Sequence, residues 1–137
     1  PALGLLPLRR VTMQWPVEGR ISSGYGYRTH PVSNTKHFHG GIDIVAPEGT
    51  KVQAAASGKV SSVGNRGNYG LSVVIEHAGG VTTWYGHVSK VSVKVGEQVK
   101  QGQTIALVGS TGLVTGPHLD FRIKIGDQTV DPLEWLP

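Results

Sequence analysis

Twenty glycines and eight prolines cut this 137-residue chain into short runs, and that punctuation limits the fold more than any other feature. Glycine and proline favour turns and weaken a helix interior, so long helices are excluded. The runs between them are β-like. Leu71, Val73, Ile75 and His77 alternate onto one face of an extended segment, Ala78-Gly79-Gly80 turns the chain, and Val81 to His87 returns as a hairpin partner. Arg20-Ile21-Ser22, Thr50 to Ala55, Lys59 to Val63, Val91 to Val95, Thr104 to Val108 and His118 to Lys124 read as further strands, and 131–135 as one closing helical turn. Ser23 to Arg28 and Gly64 to Gly70 read as loops, the first too glycine-rich for a helix. About eight to ten strands and no helix predict an all-β domain.

At this length the chain forms one domain, expected over 15–137, with 1–14 a linker or an edge strand packed on the body. The start at Pro1, without a leader, reads as a domain cut from a longer precursor. No segment approaches the roughly 20 apolar residues of a membrane span. The chain has no cysteine, which excludes disulfides, thiolate metal sites and cysteine nucleophiles. A net charge of +4 favours anionic partners, but no Lys/Arg run resembles a nucleic-acid arm.

Chemistry concentrates in three places. His39 and Asp43 flank Gly40-Gly41, whose backbone freedom lets both side chains close on one divalent cation. On the last long strand His118, Asp120 and Arg122 share one face, with Leu119, Phe121 and Ile123 on the other, core face. Taken alone, that polar face is explained by an exposed Asp120–Arg122 ion pair. His87 is expected to end its strand on the face of Tyr85 and Thr83. Three histidines and two aspartates on one scaffold outweigh the plain reading, because zinc accepts imidazole and carboxylate ligands and a catalytic site keeps one position open for water.

These segments, with their order, resemble the lysostaphin-like (LytM-type) zinc endopeptidases, which cut peptide stems and cross-bridges of bacterial peptidoglycan. The resemblance runs from about Trp15 to Leu136 and rests on Ser23-Gly24-Tyr25-Gly26-Tyr27-Arg28, Phe38 to Thr50, Tyr85-Gly86-His87-Val88-Ser89, Val95 to Gln103, and Val108-Gly109-Ser110-Thr111-Gly112. It implies an antiparallel sandwich or open barrel with a loop-walled substrate groove. It implies one zinc ion held by His39 and Asp43, a catalytic pair His87 and His118, and an extracytoplasmic location. Tyr25, Tyr27 and Tyr69 would wall the groove. His118 would be the general base and His87 the donor to the oxyanion.

The family's last motif is His-x-His, and its second histidine is the third metal ligand; here Asp120 stands there. A second carboxylate lowers the formal charge of a zinc site from +1 to zero, which opposes the acidity of bound water and moves selectivity toward harder divalent ions such as manganese. On charge alone, Asp120→His should hold zinc more tightly. Arg122 competes for Asp120. His37 offers a replacement ligand or stands as an exposed bystander; His30 reads as structural or groove-lining, and His77 as a strand-end residue without catalytic work.

Two rival functions remain from the sequence. One is a partly degenerate, non-catalytic member of the same family, binding the wall or activating other wall hydrolases. Four of the five expected site positions match, which favours the enzyme. The other is a carrier domain, because Val95 to Val108 resembles a biotinyl or lipoyl hairpin, but no lysine lies between Gln101 and Gly112 to be modified.

Overall fold

A computed structural model describes residues 11–29, 36–112 and 116–137. Among these, thirteen strands and three short 3-10 turns make up the regular structure. Every strand pairing is antiparallel. The large sheet runs in the order β1 (Ile21–Ser23), β4 (Ile42–Val45), β12 (His118–Ile125), β8 (Val81–Gly86), β7 (Leu71–Glu76), β6 (Gly58–Asn65) and β10 (Gln98–Val99), with β13 (Gln128–Val130) also paired to β12. A smaller sheet joins β5 (Lys51–Gln53), β11 (Thr104–Val108) and β9 (Val88–Val91), and β2 (Gly26–Thr29) pairs with β3 (Lys36–His39).

The all-β, antiparallel expectation holds, and the strands are more numerous than expected. Gln98–Val99 and Gln128–Val130 are too short to show a period. Gly26–Thr29 was hidden in a glycine-rich stretch, so Ser23 to Arg28 is not the single loop expected from sequence. The closing turn is present at Pro132–Glu134, where the Asp131 side chain accepts from the backbone N–H of Leu133.

The core lies between the large sheet and the small one. Leu119, Phe121 and Ile123 of β12 are fully buried, and they join Ile42, Ile75 and Tyr85 with Val52, Ile105 and Val108 of the small sheet in one apolar cluster. Truncating Phe121 to alanine at such a site typically costs about 3–5 kcal/mol. β7 departs from simple alternation, because Ser72 to Ile75 are all buried. Its second face is covered by Arg66, which donates to Ser72 Oγ at 2.5 Å, and by Trp84, the cross-strand neighbour of Val74. Residues 11–14 pack on the body: Met13 is buried and the Gln14 N–H donates to the Ala55 carbonyl at 2.8 Å. Residues 1–10 and His30 lie outside the described residues.

One buried polar chain crosses the core. Ala55 N–H donates to Tyr85 Oη at 2.9 Å, and Tyr85 and Thr83 share a hydroxyl contact of 2.8 Å. Thr83 Oγ1 lies 2.8 Å from His77 Nε2, and His77 Nδ1 donates to the Ser57 carbonyl at 2.7 Å. Because a carbonyl only accepts, His77 carries a proton on Nδ1, and with Nε2 accepting from Thr83 every group in the chain is matched. Burial lowers the His77 pKa and the bond to Ser57 offsets only part of that.

Candidate active site

The residues outside this core converge at one end of β12. β3 closes with His39, Gly40 and Gly41 carry the chain across, and β4 presents Asp43. His39 and Asp43 therefore sit on two strand ends joined by two glycines. Asp43 and Asp120 are direct cross-strand partners. Adding a Cβ at Gly41 would bring it to 2.5 Å from the Phe121 carbonyl oxygen and 2.9 Å from Asp120 Oδ1, so only glycine lets the chain pass this close.

His39 Nε2 lies 3.3 Å from Asp43 Oδ1 and 3.3 Å from Asp120 Oδ2. Its Nδ1 donates to the Gly24 carbonyl at 3.0 Å. That anchor places the neutral tautomer's lone pair on Nε2, aimed at two carboxylates that can only accept. The arrangement demands a cation. Without a metal the proton serves: burial disfavours the imidazolium, but hydrogen bonds to Asp120 and Asp43 and their charges outweigh it and raise the His39 pKa to about 9. Asp120 is held below the usual carboxylate range; burial opposes this, and the bonds to His39 and Arg122 prevail. Asp43 Oδ1 is buried, with His39 Nε2 at 3.3 Å as an ion-pair contact but no well-formed hydrogen bond. Ligand atoms of His39, Asp43 and Asp120 lie within 4.8 Å of one another, so the three can hold one divalent cation.

Arg122 grips Asp120 with two bonds, Nε to Oδ1 at 3.0 Å and Nη2 to Oδ2 at 3.1 Å. Asp120 nevertheless stays in the cluster rather than being drawn out of it, and only 4% of its surface is exposed. This is not the exposed strand-face ion pair that the sequence alone offers. The guanidinium also changes the charge balance, because its positive charge offsets the second carboxylate and returns the environment of a bound cation toward that of a site with one carboxylate. Tyr69 holds this pair from below. Its ring lies 4.8 Å from the Arg122 guanidinium and its hydroxyl donates to the Asp120 backbone carbonyl at 2.9 Å. Burial, then the Asp120 charge, pushes the Tyr69 pKa well up.

His87 and His118 complete the site with rings 4.9 Å apart. His118 Nδ1 donates to the Gly116 carbonyl at 2.9 Å and His87 Nδ1 to the Thr111 carbonyl at 2.7 Å. In its neutral form each therefore carries its lone pair on Nε2, and His118 Nε2 lies 3.8 Å from Asp43 Oδ1. His87 does not share the face of Tyr85 and Thr83, which belong to the buried chain across the core. It is the one non-glycine residue with positive φ among the described residues, at 63°, and that turn carries its ring to the cavity side. Burial lowers its pKa, with the Thr111 bond acting the other way.

His39, Asp43, His87, His118, Asp120 and Tyr69 all line a cavity of about 790 Å3. Tyr25 and Tyr27 do not line it. Tyr25 donates to the Thr129 carbonyl at 3.0 Å, and Tyr27 and Tyr25 each meet Phe38 edge-on, at 5.1 and 5.2 Å. His37 is exposed on β3 and outside the cluster. Sequence reasoning missed the cavity roles of Arg66, Trp84 and Lys124; Lys124 continues the His118-Asp120-Arg122 face by the same two-residue step and could have been found that way.

An all-β scaffold with a cation-demanding cluster beside two backbone-anchored imidazoles belongs with metal-dependent hydrolases. More narrowly, residues 37–132 match the model of peptidase family M23, and the chain belongs to that family. The resemblance to lysostaphin-like peptidases is borne out. The chain is 48% identical over 114 residues to the DD-carboxypeptidase/endopeptidase Mpg of Neisseria meningitidis serogroup B, a match that covers 83% of this chain and 26% of that protein. It thus spans about a quarter of that relative's length. A zinc-containing peptidase from Vibrio cholerae superposes with a TM-score of 0.83 at 40% identity, covering 89% of this chain and 39% of that one. The catalytic domain of the antimicrobial peptidase lysostaphin from Staphylococcus simulans gives 0.77 at 34% identity, with 85% and 90% covered.

Proposed function

We propose that this chain is a metal-dependent endopeptidase domain that hydrolyses amide bonds in peptidoglycan stem peptides or cross-bridges, outside the cytoplasmic membrane. The observation that carries the reading is the polarity of the cluster: His39 Nε2 faces two carboxylates that can only accept, and one of their buried oxygens, Asp43 Oδ1, makes no well-formed hydrogen bond, so the group requires a cation, a proton or a metal, at its centre. His39, Asp43 and Asp120 would hold the ion, which we take to be one Zn2+, with manganese as the alternative for an oxygen-rich donor set. Such an ion, when bound, supplies Lewis acidity toward a carbonyl oxygen and lowers the pKa of a water to about 7.

The chain's own residues divide the proton work. His118, with Nε2 bare and its other nitrogen fixed by Gly116, accepts the proton of the attacking water. His87 meets the cavity with the same bare nitrogen, so it donates to a developing oxyanion only after taking up a proton itself. Burial lowers its pKa, which favours the neutral form. The match to the peptidoglycan DD-endopeptidase ShyB of Vibrio cholerae, 39% identical over 131 residues, supports a peptidoglycan substrate, and no helix among the described residues is long and apolar enough to cross a membrane.

The test is incubation of the purified protein with purified peptidoglycan, with and without chelator, followed by mass analysis of released fragments. Amide-cleaved fragments that vanish with chelator and return with zinc are expected. Intact peptidoglycan in the zinc-loaded reaction would overturn the reading and favour a wall-binding or hydrolase-activating module.

A further inference from the structure

The face of β12 that carries His118 and Asp120 does not end at the metal cluster. Arg122 and Lys124 follow at two-residue steps, so the row runs from acid to base along one strand. Lys124 and Arg66 both approach the indole of Trp84, with Nζ at 4.1 Å and Cζ at 5.2 Å from the ring centroid. All three line the same cavity as His39 and Asp43. Arg122 is paired with Asp120, but neither Arg66 nor Lys124 pairs with a carboxylate among the described residues. Arg66 is instead held in place by the hydroxyls of Ser62 and Ser72. Two cations gathered on one aromatic ring repel each other, and nothing described in the fold offsets that repulsion. Cation–π contact with the indole stabilises each of them but leaves their charges uncancelled.

We propose that Arg66, Trp84 and Lys124 form a carboxylate-binding subsite that selects acidic peptides for the metal end of the same cavity. Lys124 lies four steps along the strand from Asp120, about 14 Å at the strand rise of about 3.4 Å per residue. An extended peptide covers that span in three to four residues, so the recognised carboxylate lies that far from the scissile amide. Arg66, its two terminal nitrogens already bonded to Ser72 and Ser62, supplies a fixed charge and its remaining N–H donors, Lys124 a point charge, and Trp84 an apolar floor that excludes water from the pair. The inference rests on the peptidase reading for its substrate, yet it is tested by binding alone.

The probes are three short alanine-rich peptides of one length: one with a glutamate side chain, one with a free terminal carboxylate, and a fully amidated twin. Each is titrated calorimetrically into zinc-loaded His118→Ala protein at low ionic strength. Both acids, or the one whose carboxylate falls at the right distance, should bind roughly tenfold more tightly than the amide, as for hydrogen bonds to charged groups. The side-chain and terminal arms show which source the site takes. Adding R66Q and K124Q should remove the preference, and salt should weaken it. K124Q alone, whose amine makes no hydrogen bond within the described fold, should remove part of it and serves if the double variant fails to fold. Equal affinity for acid and amide, or a preference that survives in K124Q undiminished, overturns the proposal. Peptidoglycan digestion by the unaltered protein separates the two readings: cleavage without acid preference defeats only the subsite, and acid preference without cleavage defeats only the peptidase.

Discussion

Two buried histidines, His39 and His77, show how the same residue type serves opposite ends. Both are almost inaccessible, at 7% and 8% exposure. Both use Nδ1 to bond a backbone carbonyl. They part at Nε2. His77 meets a hydroxyl that can donate, and its network closes on Ala55 with no polar atom left over. His39 meets two carboxylates that cannot donate, and the Asp43 oxygen it faces makes no well-formed hydrogen bond. Their pKa values move in opposite directions for that reason, one lowered by burial, the other raised to about 9. A matched buried network is architecture; one whose partners can only accept draws in a cation, whether proton or metal.

Exchange of the two histidines breaks the comparison most sharply. His39→Ala should lose zinc retention and peptidoglycan cleavage altogether, measured by metal content of the desalted protein and fragment release, with the fold intact by circular dichroism. A smaller effect is expected for Asp120→His. Charge alone argues that a third imidazole should tighten zinc binding. The pairing of Asp120 with Arg122 reverses that expectation, because the new side chain would leave a half-buried guanidinium unpaired beside a cation. We expect weaker zinc binding and a loss of about 3 kcal/mol in denaturant unfolding of the metal-free protein, near the lower end for a broken buried pair since Arg122 is 29% exposed. Tighter zinc binding would show that Arg122 is dispensable. His77→Ala comes next: leaving Thr83 and the Ser57 carbonyl unmatched should cost about 2 kcal/mol, with cleavage per folded molecule unchanged.

The sequence made the class of fold legible because its turns are glycine-rich and its long strands alternate cleanly, as in His118 to Ile125. It also marked all of His39, Asp43, His87, His118 and Asp120, through a resemblance whose motifs lie in order. It did not show how they are arranged. The positive φ of His87 cannot be read from an alternation rule that assumes an unbroken strand, so its predicted face was wrong. The pairing of Asp120 with Arg122, two residues along the same strand, was legible, but the approach of Asp120 to His39 and Asp43 depends on β4 and β12 lying side by side, a contact between residues far apart in sequence. Arg66, Trp84 and Lys124 come from three separate segments and carry no motif at all.

The pH dependence of the metal-free protein sharpens the comparison further. The His39 pKa is raised in the fold from an ordinary 6.5 to about 9, so its stabilisation is fully present below 6.5 and is lost as pH rises through 9. The His77 pKa is lowered, so its contribution is present above 6.5 and is lost as pH falls below that value; His87 acts in the same direction. Thermal melts across this range should show a shallow alkaline fall that disappears in His39→Ala, and an acid fall that shrinks in His77→Ala. Zinc should abolish the alkaline fall, since the proton on His39 must leave when a cation binds, and zinc affinity should rise with pH up to about 9.

The smallest effect is expected where an aromatic ring has the least to do within the fold. Tyr25 and Tyr27 flank Phe38, but only Tyr25 is anchored, through its hydroxyl to Thr129. Tyr27 is 76% exposed and Phe38 47% exposed. Exposed side chains of this kind change stability by less than about 0.5 kcal/mol when truncated. Tyr27→Ala should therefore melt with the unaltered protein. If the hairpin of β2 and β3 meets substrate outside the cavity, as the family resemblance implies for Tyr27, the same variant should raise KM on polymeric peptidoglycan and leave kcat alone, because a contact far from the reacting bond acts equally on ground and transition states. Tyr25→Phe would instead lose a hydrogen bond worth about 1 kcal/mol with no change in KM. An unchanged KM in Tyr27→Ala would confine recognition to the cavity and its cationic arm.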